Sequence, residues 1–196
     1  MILSNKSIQD ALDEKWLKID PEPAPRVPTE NQIECPYQTS AVDLRLGGEI
    51  LRPKKMAMAI DLSAGGFSAL SDAISDRYSF PLDQPFTLKP NDFILGRTLE
   101  KVELPLPRPG SGAPCLAARI EGRSSYSRCG LLVHFTAPTI HAGFSGTITL
   151  EICNFGPHDI QLEKGSPICQ LILEQVHGEP FRNDSQFQGQ SSPSGQ

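Results

Sequence analysis

A polar segment with two arginines, residues 121–128, has the composition of an anion-binding site. Ser124 and Ser125 can begin a helical turn whose free backbone N–H groups point outward and bind anions. Arg128 lies four residues after Ser124, so a helical turn places both on one side, and Arg123 and Arg128 can then hold phosphate oxygens in a fork. The competing interpretation is a capped surface turn with two solvated arginines, and both interpretations fit the residues.

A carboxylate in a β-rich segment, residues 146–154, is the second group that could do chemistry. Apolar residues alternate along the segment, so Glu151 shares its face with threonines rather than with the isoleucines. A glutamate in this position is usually solvated on a strand face. The functional interpretation is a half-buried polar pocket, where burial raises the pKa of Glu151 and allows it to take and give a proton near neutral pH.

Histidines lie close to both segments. His141 is predicted either to donate a hydrogen bond to a ligand or to lie in a turn. His134 lies in an apolar run that predicts a strand, where a hydrogen-bonded structural role is favoured. For His158 and His177 the sequence identifies no convincing partner.

The composition limits the class of protein. The chain has 196 residues, enough for one domain with a core, and its 18 prolines and 16 glycines favour short strands and turns. A net charge of -5 and a pI of about 5.4 argue against a nucleic-acid polymer as the partner, because polymer binding needs a broad basic surface. A single nucleotide needs only a local cluster of donors and is compatible with this charge.

The cysteines and the missing motifs restrict the chemistry further. The five cysteines are odd in number, widely spaced and without a C-x-x-C pair, which predicts reduced thiols rather than disulfides or a structural zinc site. The sequence has no P-loop, no G-x-S-x-G, no H-E-x-x-H, and no P-C-x-x-C of the zinc nucleoside deaminases. No signal peptide or membrane-spanning run is recognisable, so a cytoplasmic protein without a membrane partner is expected.

Short strands must position these groups. A helix is predicted at residues 4–16, capped by Ser4 or Ser7, with Ser7 and Asp10 as a capping box. Strands are predicted at residues 40–46, 93–99, 115–120, 131–136, 146–154, 159–162 and 168–174, with one or two more within 49–60. The pattern at residues 61–90 allows no assignment of secondary structure. Strands at this spacing predict an antiparallel barrel or sandwich.

A change in composition divides the chain. Residues 1–176 are predicted to form one domain, and from His177 the sequence becomes polar and lacks a repeated apolar pattern. Two aromatic residues in this tail, Phe181 and Phe187, are unusual for a linker. Residues 177–196 are therefore predicted to be a flexible arm that becomes ordered on another surface.

Segments spread over most of the chain resemble the dCTP deaminase branch of the dUTPase-like superfamily. The N-terminal I-L-S-N-K-S-I, the S-A-V-D-L-R-L-G of residues 40–47 and the segment at residues 93–100 resemble blocks of that family. Residues 121–130 resemble its phosphate-binding motif, and residues 143–151 resemble the strand that carries its catalytic glutamate. The F-Q-G-Q of residues 187–190 resembles its nucleotide-capping arm.

The resemblance implies a distorted antiparallel β-barrel with a short N-terminal helix, assembled as a homotrimer with active sites between subunits. The implied reaction is the zinc-independent deamination of dCTP to dUTP and ammonia, with Mg²⁺ carried by the triphosphate. Glu151 would be the catalytic acid/base, and Ser124 and Arg128 would orient the water. The residues implied to bind the nucleotide are Arg123, Ser124, Ser125, Tyr126, Ser127, Arg128, Phe135, Thr136, Ala137, His141, Phe144, Thr149, Leu150, Glu151, Gln170, Phe181, Gln186 and Gln190.

Some positions depart from the family pattern. Many relatives carry Asp where this chain has His141, and in dUTPases an Asp in that region contacts the sugar and activates the attacking water, so His141 counts against hydrolysis of the triphosphate. Thr139 stands where some relatives have Arg, and Gln186 and Phe187 replace a common Lys-Tyr pair. Two alternatives to a dUTP-forming deaminase therefore stay open: a bifunctional enzyme that yields dUMP and diphosphate, and a nucleotide-binding regulator with little catalysis.

Overall fold

Strands dominate the structure, and the helices are short. A computed structural model describes residues 1–30, 34–61, 71–80, 84–181, 189 and 191–194. The helices within these ranges are α1 (Asn5–Asp13), α2 (Ser71–Ile74) and α3 (Ser124–Ser127). The strands are β1 (Lys18–Asp20), β2 (Tyr37–Gln38), β3 (Ala41–Arg45), β4 (Glu49–Pro53), β5 (Ser75–Ser79), β6 (Phe86–Leu88), β7 (Phe93–Glu103), β8 (Cys115–Gly122), β9 (Leu131–Val133), β10 (Thr139–Ile140), β11 (Ser145–Asn154), β12 (Ile160–Leu162) and β13 (Pro167–Val176).

The strands pair antiparallel in two large sheets. The 6-stranded sheet has the order β5-β4-β7-β11-β9, with β1 also paired to β7, and the 5-stranded sheet has the order β10-β8-β13-β3-β2. A separate 2-stranded sheet joins β12 and β6. The large sheets meet where Leu46 bridges Thr98 and the Gly47 N–H donates to the Arg97 carbonyl at 2.8 Å. The prediction of a mainly β, antiparallel fold is confirmed, and the strand pairs of the described residues form separate sheets rather than a closed ring.

Apolar residues that alternate along the long strands of both sheets form the core. Fully buried members of this core are Leu44 of β3, Ile120 of β8, Leu150 and Ile152 of β11, and Leu171 of β13. Each such side chain stabilises the fold by about 1.5–3 kcal/mol relative to an exposed one. Because Leu150 and Ile152 point into the core, Glu151 between them points to the opposite face of its sheet.

The strand prediction at residues 131–136 is wrong in its second half. β9 ends at Val133, and His134 follows it with a φ of 63°, a left-handed conformation that ends the extended pairing. The short strands β1 and β10 are not predicted, because runs of 3 and 2 residues give no alternating pattern. Residues 49–60 contain one strand, β4, rather than two.

The N-terminal helix is shorter than its predicted range, since α1 ends at Asp13. Ser4 is its N-cap, because the Ser4 hydroxyl accepts a hydrogen bond from the Ser7 N–H at 3.2 Å. The predicted capping box of Ser7 and Asp10 is wrong. The Asp10 carboxylate instead pairs with Lys6, one helical turn earlier.

A buried threonine fixes the register between the two central strands, β7 and β11. Their pairing shifts between Thr147 and Thr149. At this irregularity the Ile148 N–H donates to the Thr98 hydroxyl at 2.9 Å, and that hydroxyl donates to the Glu100 carbonyl at 2.7 Å. Since Thr98 is fully buried, its hydroxyl supplies the partner that the displaced N–H would otherwise lack, and β11 continues in register beyond this point.

Two glycines bring the end of α3 against the end of β11. Gly130 has a φ of 90°, and a Cβ there would lie 2.2 Å from the backbone nitrogen of Gly156. A Cβ on Gly156 would lie 2.2 Å from the Cys129 carbonyl oxygen. The Phe155 N–H donates to the Gly130 carbonyl at 2.8 Å across the same contact. Only glycine permits this approach, so the crossing fixes α3 relative to the pair of β9 and β11.

Gly130→Ala should destabilise the protein more than Gly165→Ala. Both glycines have a left-handed φ, 90° and 84°, but among the described residues nothing lies within 4 Å of a Cβ on Gly165. Both variants therefore carry strain of about 1–2 kcal/mol, and the clash at Gly130 adds about 1–3 kcal/mol of overpacking. Chemical denaturation measures the difference, and equal losses in the free energy of unfolding would contradict a tight crossing.

Candidate active site

Glu151 and His134 lie side by side on neighbouring strands. Next to the register pair of Ile152 with Val133, the His134 N–H donates to the Glu151 carbonyl at 2.7 Å. Their side chains also meet, with Nδ1 of His134 at 2.8 Å from Oε2 of Glu151. The ring N–H is not aligned on that oxygen as a hydrogen bond requires, so the contact is an ion pair when the imidazole is protonated.

Two opposing effects act on the Glu151 carboxyl. Burial raises its pKa, since the side chain is 34% exposed, and the neighbouring His134 ring lowers it. The lowering prevails, and the pKa of Glu151 lies below its ordinary value of 4.5. The predicted raised pKa is therefore wrong, because burial is outweighed by an imidazole that the sequence pattern does not place beside this carboxyl. Glu151 is ionised at neutral pH and can accept a proton.

The position of His134 depends on an unusual backbone conformation. Its φ of 63° is uncommon for a residue other than glycine, and its side chain is 7% exposed. Neither ring nitrogen has an aligned hydrogen-bond partner among the described residues. The prediction that His134 lies within a strand is wrong, because β9 ends one residue earlier. A buried imidazole held by an uncommon backbone conformation at 2.8 Å from a carboxylate is typical of a functional site.

The predicted helical turn of the anion-binding segment is confirmed as α3. Arg123 is its N-cap residue, and the Arg123 guanidinium lies over the Tyr126 ring at 5.3 Å from the ring centroid. The exposed side chains of the turn are Ser124, Ser125, Ser127 and Arg128. Hydroxyl groups and a guanidinium are thus presented together to solvent, an arrangement that can bind an anion.

Gln170, on β13, is brought close to the start of this turn. Its side-chain amide donates to the Asp43 carboxylate at 2.9 Å, and Nη2 of Arg123 lies 3.6 Å from the same carboxylate. Two residues predicted to bind the nucleotide, Gln170 and Arg123, therefore meet on one buried acid. The sequence pattern does not predict this role for Asp43, because alternation along β3 predicts a solvated side chain.

The residues predicted to contact the pyrimidine follow His134 directly along the chain. Phe135 is 40% exposed, and its ring centroid lies 6.0 Å from that of Phe93. Thr136 and Ala137 are also exposed. The structure therefore places these residues on the surface next to the contact of His134 with Glu151.

The predicted nucleotide-binding residues on and near β11 differ in how exposed their side chains are. Leu150 is fully buried in the core, so only its backbone can contact a nucleotide. Thr149 is partly buried on the same face of β11 as Glu151. His141 is exposed, and Phe144 is partly buried against the core.

The predicted arm is described only in part. Phe181 is 88% exposed. The Gly189 N–H donates to the Ser145 carbonyl at 2.7 Å, so this point of the arm lies at the start of β11. Gln186 and Gln190, both predicted to close over the nucleotide, lie outside the described residues.

The anion-binding turn is joined to the surroundings of Glu151 through β9. α3 packs against β9, the strand that leads into His134. Among the described residues, no direct hydrogen bond or ion pair joins Ser124 or Arg128 to Glu151. The implied orientation of water by Ser124 and Arg128 at Glu151 therefore stays a prediction.

The described ranges contain no group of three or more His, Cys, Asp or Glu side chains that could hold a metal ion. No helix in the same ranges is long and apolar enough to cross a membrane. The five cysteines are free, as the sequence predicts.

The fold places the chain in a known class of β proteins. A solved structure of 2'-deoxycytidine 5'-triphosphate deaminase from Agrobacterium tumefaciens matches it with a TM-score of 0.61 at 20% sequence identity, over 90% of this chain and 48% of that chain. The chain thus spans about half the length of that solved protein. The shared architecture is the dUTPase-like fold.

Sequence comparison identifies the particular family. The dCTP deaminase-like family model matches residues 2–176. A protein of Methanosphaera stadtmanae named dCTP deaminase, dUMP-forming, is 35% identical over 98% of this chain and 91% of its own length. A protein of Natronomonas pharaonis named dCTP deaminase is 34% identical over 98% of this chain and 92% of its own length. The chain belongs to the dCTP deaminase-like family, which confirms the resemblance.

His134→Asn should raise the pKa of Glu151. Asparagine tolerates a left-handed backbone, so the substitution removes the imidazole while the turn is kept. Burial then remains as the largest influence, and the pKa should rise above its ordinary value of 4.5. NMR titration of the Glu151 side-chain carboxyl measures this shift, with His158→Asn, at an exposed histidine, as the control.

The same contact makes the stability of the protein depend on pH. Because the pKa of Glu151 is lowered in the folded state, the contact stabilises the protein above pH 4.5, and this contribution is lost as the pH falls through the folded-state pKa. The acid-induced loss should be smaller in His134→Asn. A Glu151 pKa that stays below 4.5 in this variant would contradict the role given to the imidazole.

Proposed function

We propose that the protein deaminates dCTP hydrolytically, without zinc, to dUTP and ammonia. The observation that carries the proposal is the contact between Glu151 and His134, which sets a half-buried, ionised carboxylate of β11 beside an imidazole that follows the edge strand β9. Family membership and relatives named dCTP deaminase support a cytosine nucleotide as the substrate. The absence of a P-C-x-x-C motif from the sequence supports a reaction without the usual zinc site.

Glu151 is the acid/base in this proposal. Its lowered pKa keeps it ionised at neutral pH, so it takes a proton from water as the bond from the water oxygen to C4 of cytosine forms. Because its pKa is lowered, the protonated carboxyl releases its proton readily, and it gives that proton to the amino group as the C4–N bond breaks. The second hydrogen of the water moves from the C4 oxygen to N3 as the carbonyl forms. Water and dCTP thus become dUTP and ammonia, and Glu151 returns to its starting state.

The turn at α3 is proposed to hold the triphosphate. Ser124, Ser125 and Arg128 are exposed together, and Arg123 lies at the start of the turn. Charge-assisted hydrogen bonds from arginines to phosphate oxygens are strong and directional. Mg²⁺ carried by the phosphates would be held mostly through waters, which needs no dedicated set of carboxylates.

A homotrimer with active sites between subunits, built on a distorted β-barrel, is part of the proposal. It is supported by the lack of a direct hydrogen bond or ion pair from Glu151 to Ser124 or Arg128 within the described part of one chain. Apolar side chains near Glu151 are also exposed in the single chain, namely Phe93, Leu132 and Phe135. An exposed apolar patch near the proposed acid/base fits contact with a second copy. The assembly is expected in the cytoplasm.

Cleavage to dUMP and diphosphate is the second candidate function. It is favoured by the name of the Methanosphaera stadtmanae relative, which is described as dUMP-forming. His141 counts against it, because the dUTPases use an Asp in this region to activate the attacking water, and here the position holds an exposed histidine.

Purified protein supplied with dCTP and Mg²⁺ should release ammonia and form dUTP, and removal of zinc with a chelator selective for it should leave the rate unchanged. Chromatography of the nucleotides and an ammonia assay identify the products. Formation of dUMP and diphosphate would identify the second candidate. Binding of dCTP without turnover would contradict the proposal and support a regulatory protein.

Glu151→Gln should lower kcat by about 10²–10⁴, the usual contribution of a general acid or base. The affinity for dCTP should change little, because the variant keeps the shape of the side chain. Steady-state kinetics and calorimetric titration with dCTP measure the two effects. Glu163→Gln, at an exposed glutamate, is the matched control and should leave kcat unchanged. A kcat of Glu151→Gln close to that of the unsubstituted protein would contradict the mechanism.

A further inference from the structure

Asp43 is buried at a position where alternation predicts an exposed side chain. Val42 and Leu44 of β3 point into the core and are both 0% exposed, so Asp43 points to the opposite face of its sheet. Its own exposure is nevertheless 5%. A buried carboxylate is costly unless hydrogen bonds or an opposite charge compensate it, so the neighbours of Asp43 explain why it is tolerated.

Both oxygens of the Asp43 carboxylate have side-chain partners from other elements. Oδ1 accepts a hydrogen bond from Gln170 of β13 at 2.9 Å, and Oδ2 accepts one from Gln38 of β2 at 3.3 Å. Nη2 of Arg123 lies 3.6 Å from Oδ2. The Arg123 side chain is 21% exposed, so this ion pair is mostly shielded from solvent. Asp43 therefore joins two amides and one cation.

The strand register places Asp43 and Gln170 in one row across the sheet. Gln170 lies opposite Asp43 of β3 on one side and opposite Glu121 of β8 on the other. Arg123 follows Glu121 at the point where β8 ends and α3 begins. Asp43 thus connects the rigid sheet to the first residue of the anion-binding turn.

We propose that Asp43 is a positioning residue that orients Arg123 and Gln170 for the triphosphate end of the nucleotide, an inference that rests on the proposed function. A guanidinium has five N–H donors. Asp43 engages one edge of the Arg123 guanidinium, and the Tyr126 ring lies against its face at 5.3 Å. The other donors stay available for phosphate oxygens, and a side chain held in place before binding loses less conformational entropy on binding.

A cavity of about 520 Å³ lies next to Asp43 and Arg123. In the described part of the chain, its charged lining consists of two arginines, Arg45 and Arg123, and two acids, Glu34 and Asp43. Nε of Arg45 donates to the Glu100 carboxylate at 2.6 Å, a partner deeper in the fold. The Arg123 guanidinium lies 3.6 Å from the Asp43 carboxylate, farther than Arg45 lies from its own partner. Arg123 is therefore the cation of this cavity that is best able to bind a phosphate.

A purely structural role for Asp43 makes a different prediction. If the carboxylate only completed the packing of β3, removal of its charge would lower stability and activity together. A positioning role instead changes the affinity for the nucleotide and leaves the chemical step unchanged, because Glu151 lies in the other large sheet. The two roles are separated by a comparison of KM with kcat.

Asp43→Asn keeps the shape of the side chain and removes its charge. KM and Kd for dCTP should rise about tenfold, as expected for the loss of a charge pair that orders a ligand-binding group. The value of kcat should stay within about twofold, because the reacting groups are untouched. Asp92→Asn, which breaks the ion pair of Asp92 with Arg52 at 2.5 Å, is the control and should change neither constant.

A double-mutant cycle with Arg123→Gln tests whether Asp43 acts through the guanidinium. In the Arg123→Gln background, Asp43→Asn should raise Kd by less than about threefold, because the charged one of the two side chains that it positions is gone and only Gln170 remains. Full additivity of the two effects would overturn the proposal, as would a fall in kcat at unchanged KM. If Asp43→Asn does not fold, Asp43→Ser, which also lacks the charge, takes its place in the same cycle.

The outcome for Asp43 can be separated from the outcome for the proposed reaction. If the unsubstituted protein binds dCTP but releases no ammonia, the proposed reaction fails, while Kd in the cycle still decides the role of Asp43. If it deaminates dCTP and Asp43→Asn leaves KM and Kd unchanged, only the positioning role is overturned. If it neither binds nor converts dCTP, both are overturned.

Discussion

The position of the anion-binding turn relative to the strand of Glu151 depends on the backbone crossing of Gly130 and Gly156. One glycine follows α3 and the other follows β11, and a Cβ on either would meet backbone at 2.2 Å. Asn154 secures the same contact, since its buried side chain accepts from the Gly156 N–H at 2.9 Å and donates to the Leu88 and His158 carbonyls. Backbone packed this closely cannot adjust as side chains do, so the anion-binding turn and the strand of Glu151 keep one geometry.

Opposed electrostatic effects define the candidate acid/base. Burial favours the neutral form of Glu151, and the imidazole of His134 favours the charged form more strongly, so the pKa is lowered. The imidazole reaches this carboxylate because β9 ends at Val133 and His134 adopts a left-handed backbone. A local conformational cost therefore places the imidazole that offsets the effect of burial, and the carboxylate stays ready to accept a proton from water.

The sequence predicts what depends on local pattern. Alternation predicts β11 and the outward face of Glu151, and the spacing of serines and arginines predicts α3. The contact of His134 with Glu151 is not predictable in this way. It depends on a positive φ at His134, which the apolar pattern predicts to lie within a strand. The pattern likewise predicts a solvated side chain at Asp43. Its burial follows from contacts with Gln38, Gln170 and Arg123, which belong to other parts of the chain. Pairings between distant segments are set by the tertiary fold and leave no local pattern.

The most direct test of a shared active site is a crystal structure of Glu151→Gln with dCTP bound. The triphosphate is predicted to lie on Arg123, Ser124 and Arg128 of one copy, with C4 of the cytosine facing residue 151 of another. Such a structure would show the turn of one copy and residue 151 of another on the same nucleotide. A triphosphate bound away from α3, or a cytosine remote from residue 151, would contradict the assignment of Glu151 as the acid/base.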